Sequence, residues 1–105
     1  MHCRREIQSL QMHCRIAAMI KIDPEAVIGK ARSNLNSWMA RREGAASQAA
    51  MKEWLELLES LAPEELASFI VSESECATRM RQNSPFAGVL TPQEIWAIKR
   101  GNEAA

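Results

Sequence analysis

Apolar residues recur through most of the chain at the three- and four-residue spacings that set side chains on one face of an α-helix. Asp23-Pro24 reads as an N-cap followed by proline at the first helical position, where its missing N–H costs nothing. The helix it opens carries Val27, Ile28, Ala31, Leu35, Trp38 and Met39 inward. Its end is expected near Arg41-Arg42, with Gly44 as terminator. A second amphipathic run starts at Ser47, with Met51, Trp54, Leu55, Leu58 and Leu61 inward and Lys52, Glu53, Glu56 and Glu59 outward. Pro63 starts a short third run, with Glu64 and Glu65 in its first turn and Leu66, Phe69 and Ile70 facing in.

Ser72-Glu73-Ser74-Glu75 has capping-box spacing and predicts a helical segment through Gln82. Asn83 to Leu90 interrupts the helical period with turn residues, yet Pro85, Phe86, Val89 and Leu90 make it too apolar for a fully solvated loop. Thr91-Pro92-Gln93-Glu94 combines an N-cap threonine, proline at N1 and glutamate at N3. The helix it opens is expected to run to about Arg100, with Gly101-Asn102 ending it and residues 102–105 fraying. No segment reads convincingly as a strand. These elements together predict an all-α fold, a compact bundle of five or six short helices.

Length and composition agree with that fold. A chain of 105 residues supports one domain with a real core but not two. It is 47% apolar and 25% charged, a globular composition rather than a disordered one. Near the start, Met1-His2-Cys3-Arg4 recurs as Met12-His13-Cys14-Arg15. An interval of eleven residues is close to three helical turns, so both copies fall on one face of a continuous helix. Met12 can itself open a complete domain, so residues 1–11 are read as an extension that can form part of the first helix, and 12–101 as the domain.

The chain has thirteen basic and thirteen acidic side chains, and this balance gives no general attraction to nucleic acid or anionic membrane. The charges are nonetheless segregated. Residues 1–42 hold eight basic and three acidic side chains, residues 43–76 one and eight, and residues 77–105 four and two. Either the acidic middle packs beside basic flanks, or a charged face stays open to a partner of opposite sign. The longest apolar stretch, Ile16 to Ile22, contains Lys21 and is too short for a membrane span. Three cysteines without framework spacing suggest reduced thiols, and with no secretory signal in view the expected location is the cytoplasm.

Candidate chemistry is sparse. His2, Cys3, His13 and Cys14 are metal-ligand types, but eleven residues of helix separate the two pairs by about 16 Å, far beyond a shared coordination sphere. No nucleophile-elbow, P-loop or dinucleotide fingerprint is present, and no catalytic residue, metal or cofactor is assigned. A DNA-binding reading uses the helices around residues 73–100, with Arg79, Arg81, Lys99 and Arg100 as phosphate contacts. The connection between those helices is longer than a helix-turn-helix uses. The segment Ser84–Trp96 carries two readings. It closes the core of the bundle, or Pro85, Phe86, Gly88, Leu90 and Trp96 form an anchor surface for another protein.

Several phrases occur together in order: His13-Cys14-Arg15-Ile16-Ala17, Asp23-Pro24, Ala31 to Trp38, Trp54-Leu55-Glu56-Leu57-Leu58, and Arg79 to Trp96. Taken together they resemble a group of small bacterial helical proteins whose C-terminal segment reads S-P-F-x-G-x-L-[ST]-P-x-E-x-W. The likeness spans approximately residues 12–98 and favours Met12 as the start of the domain. The resemblance implies an antitoxin-like protein that occludes a partner, such as a toxin encoded nearby, and it carries over no catalytic residues. A homodimer is a further expectation.

Overall fold

A computed structural model describes residues 4–41 and 48–104, with side chains for 6–41 and 48–101. Gly44, Ser47, His2 and Cys3 lie outside the described residues. Six helices are described: α1 (Arg4–Ile22), α2 (Pro24–Arg41), α3 (Gln48–Ser60), α4 (Pro63–Ile70), α5 (Glu75–Arg81) and α6 (Pro92–Ala104). No strand occurs among the described residues, so the chain is an all-α bundle.

The punctuation residues act largely as their chemistry predicts. The Ala26 N–H donates to Asp23 Oδ1 at 3.3 Å, capping α2 ahead of Pro24. At α6 the capping box closes in both directions: Glu94 N–H donates to Thr91 Oγ1 and Thr91 N–H to Glu94 Oε1, each at 3.1 Å. At α4 the Glu65 carboxylate accepts from Ala62 N–H at 2.9 Å, and Pro63 occupies the first turn.

Two boundaries differ from the sequence reading. The cap of α5 is Ser74, whose Oγ accepts from Ala77 N–H at 3.2 Å, so the helix starts at Glu75 rather than at residue 73. Ser72 instead uses its hydroxyl to hold the Ser74 N–H in the preceding turn. At the other end, α6 does not stop at Gly101 but continues to Ala104. Gly101 keeps the helical backbone there, and glycine in a helix costs only about 1 kcal/mol.

Helix α1 is the hub, packing against α2, α4, α5 and α6, while α3 packs on α2 and reaches α4 and α5 through Trp54. Its inward stripe is His13, Ile16, Ala17 and Ile20, at the three- and four-residue spacing of one helix face. Facing it are Val27, Ala31 and Leu35 of α2, and Leu66, Ala67 and Ile70 of α4. Trp54 of α3 lies in the centre with no exposed surface, and its Nε1 donates to the Met80 carbonyl at 3.0 Å. Each large apolar side chain buried this way contributes about 1.5–3 kcal/mol. Trp38, Met39, Ile95 and Ile98 border this core half-buried.

The helix α1 passes unbroken through Met12, so residues 4–11 are structurally its first turns. Of the second copy of the short repeat, His13 is buried and Cys14 exposed, because adjacent helical positions point about 100° apart.

Candidate functional site

The segment between α5 and α6, residues 82–91, is clamped to the bundle by two polar side chains, and a third, Arg81, ties α5 just before it to the end of α4. From α1, His13 Nδ1 donates to the Ser9 carbonyl at 2.7 Å. That bond leaves Nε2 as the acceptor of the neutral ring, and Ser84 Oγ–H donates to it at 2.8 Å. From α2, the two N–H groups of the Asn34 amide reach the Pro85 carbonyl at 2.9 Å and the Ala87 carbonyl at 2.8 Å. From α5, Arg81 Nη1 donates to the carbonyls of Ile70 and Ser72, and Nη2 to Thr78 Oγ1. His13 and Arg81 are the buried polar and charged residues among those described, and every buried side-chain N or O described has a hydrogen-bond partner. Burial pushes the His13 imidazole below its ordinary pKa. The hydrogen bond to Ser9 opposes that shift, and the Arg81 charge reinforces it.

These clamps seat an aromatic plug. Phe86 is 4% exposed, with its ring edge-to-face against Trp54 at 5.7 Å between centroids and against His13 at 6.1 Å. Gly88 follows with φ at +84°, a backbone conformation that L side chains rarely adopt, and a Cβ there would meet Lys30 Cε at 3.1 Å. Leu90 then turns back into the core.

Of the expected anchor surface, Pro85, Phe86 and Leu90 are therefore interior residues rather than contacts offered to a partner. Their burial completes the core that α1, α3 and α5 leave open. Gly88 and Trp96 stay on the surface, and the Trp96 side chain is 57% exposed. It borders an open groove of about 570 Å³ lined by Gly88, Leu90, Pro92, Ile95 and Lys99. A second depression, of about 410 Å³, lies between α1 and the clamped segment, with His13, Ser84 and Arg81 in its wall. The two share Gly88, Leu90, Ile95 and Lys99.

The four expected phosphate contacts do not form one free basic patch. Arg81 is buried with its guanidinium turned to carbonyls. Arg79 is tied to Glu53 through two bonds, at 2.9 and 3.3 Å. That hydrogen bonding holds the Glu53 carboxyl below its usual range and the Arg79 guanidinium above its own. Lys99 and Arg100 remain exposed on α6. At the α6 cap, Arg15 bridges to Glu94 at 3.2 Å, an exposed contact that contributes little by itself.

His13 and Ser84 have the distance and tautomer of a base beside a hydroxyl. The same Ser84 oxygen also lies 3.4 Å from the Phe86 N–H, within the turn that positions the aromatic plug. The sequence reading missed this pair and the Asn34 clamp. Their signal is positional: His13 sits on the stripe of Ile16, Ala17 and Ile20, and Asn34 borders that of Val27, Ala31 and Leu35. A polar side chain at an inward position needs a partner from another part of the chain.

Cys14 and Cys76 are free and exposed. Among the described residues no group of three His, Cys, Asp or Glu is placed to hold a metal ion, and no helix is long and apolar enough to cross a membrane. No protein-family model, curated protein or solved structure matches this chain.

Proposed function

We propose that this chain is a non-enzymatic protein-binding module that docks a partner on the face formed by the start of α6 and the 82–91 segment. The observation that carries this reading is Trp96, a large aromatic left 57% exposed beside an apolar groove while His13 and Asn34 lock down the segment before it. A rigid, pre-positioned aromatic adds contact area with little ordering cost, which is why tryptophan is enriched at binding hot spots.

The surroundings favour one partner chemistry. Lys99 lies in the groove, and the Lys30 side chain packs at its Gly88 end. An apolar partner segment flanked by carboxylates complements both features. Such docking covers the partner's own surface, which is the antitoxin-like occlusion implied by the resemblance to small bacterial helical proteins. The partner would then be a toxin encoded nearby. A cytoplasmic location accompanies this proposal.

Co-purification with the product of an adjacent gene tests it. Trp96→Ala and Lys99→Glu are expected to abolish capture while far-ultraviolet circular dichroism stays unchanged. Retained capture by both variants would move the docking surface elsewhere on the molecule.

A further inference from the structure

The cavity between α1 and the 82–91 segment has the makings of a small-molecule site. It is open to solvent on one side, and its volume of about 410 Å³ falls within the range of small-ligand sites. The walls are apolar: Met12 and Ile16 from α1, Phe86 and Leu90 from the clamped segment, and Ile95 from α6. Polar groups enter at one side, where Ser84 and His13 hydrogen-bond each other.

The charges around this cavity have one sign. Among its described lining residues Arg81 and Lys99 are cations, and none is Asp or Glu. The Arg81 guanidinium is buried, and its hydrogen bonds go to two carbonyls and a hydroxyl, all neutral acceptors. Three of its five N–H groups are engaged there, two of them at carbonyls by the C-terminal end of α4, where the helix dipole favours a cation, and its positive charge adds to that of Lys99 in the wall. Lys99 stands one helical turn beyond Ile95 on the same face of α6, which puts a mobile ammonium at the rim.

We infer that this cavity binds a small organic carboxylate with an apolar body, the chain or ring lying along Met12, Ile16 and Leu90 and the carboxylate facing Lys99 and Arg81. The site shares Gly88, Leu90, Ile95 and Lys99 with the docking groove, and Trp96, which lines only the groove, is the residue that separates the two.

Octanoate is the probe, titrated into the full chain at millimolar concentration and followed by proton–carbon correlation spectra. Saturable binding is expected, with shifts at the His13 imidazole and the Met12 methyl. Octanoate is expected to bind Lys99→Gln roughly tenfold more weakly, having lost one charge-assisted contact, and octanol to bind the native chain at least roughly tenfold more weakly, having lost its charge altogether. Trp96→Ala should leave the octanoate affinity within about twofold, since it removes no wall of the cavity. No saturable binding of octanoate, equal binding of octanol, or shifts that bypass His13 would each overturn the inference. Loss of octanoate binding in Trp96→Ala would overturn it as well, by placing the ligand in the neighbouring groove. Failure of partner capture alone, with octanoate still bound, would count only against the docking face.

Discussion

The Ser84 hydroxyl reaches the buried Nε2 of His13 at 2.8 Å, joining α1 to a segment 71 residues further along the chain. Ser84→Ala removes the donor and leaves an imidazole nitrogen unpaired in the interior. An unsatisfied buried acceptor costs about 1–3 kcal/mol. Urea unfolding should show a loss of that size with an unchanged m-value. A loss below 0.5 kcal/mol, roughly the scale of ordinary surface substitutions, would mean that Ser84 does not hold the loop.

The same imidazole sets a pH dependence. Burial holds the folded-state pKa of His13 below its ordinary 6.5, so the unfolded chain takes up the proton first as pH falls. Between those two values the unfolded state binds more protons, and stability rises with pH. The contribution is complete above 6.5 and is lost progressively below it. Denaturation midpoints from pH 7.5 down to 5 should fall in the native chain, and the fall should be much shallower in His13→Gln. Parallel curves would remove His13 as the cause.

Gly88 tests the turn itself. Its φ of +84° and the 3.1 Å approach of Lys30 Cε to an added Cβ both oppose a side chain. Gly88→Ala should destabilise by about 1–2 kcal/mol, the ordinary left-handed penalty for an L residue. Pairing it with Lys30→Ala separates the two causes. If the double variant recovers most of the loss, contact with Lys30 rather than backbone strain is responsible.

Much of this architecture is legible in the sequence because it depends on local chemistry. Asp23-Pro24, Pro63 and the Thr91–Glu94 box start helices through bonds that close within four residues. The stripes on α2, α3 and α4 name most of the core for the same reason. Long-range pairing is not legible in this way. Nothing within four residues of Ser84 reveals that His13 will meet it, and Arg81 looks like any basic residue at a helix C-terminus until the Ile70 and Ser72 carbonyls close around it. Phe86 supports either reading in the sequence, and the choice depends on α3 bringing Trp54 against its ring.

Trp54 and Trp96 separate core from surface most sharply. Trp54 is fully enclosed and donates to the Met80 carbonyl, so Trp54→Ala removes packing and a buried hydrogen bond together. Its cost should reach about 3–5 kcal/mol, a large part of the total stability of a domain this size. Trp96 has more than half its surface in water, and its truncation should change stability by no more than about 0.5 kcal/mol. Thermal unfolding of the two variants checks both figures. If Trp96→Ala proves as damaging as a core truncation, the ring is part of the packing in solution and the docking face loses its anchor. If it is neutral, the ring adds nothing to the fold and stays free to meet a partner, and loss of capture in the same variant would then mark it as a binding residue.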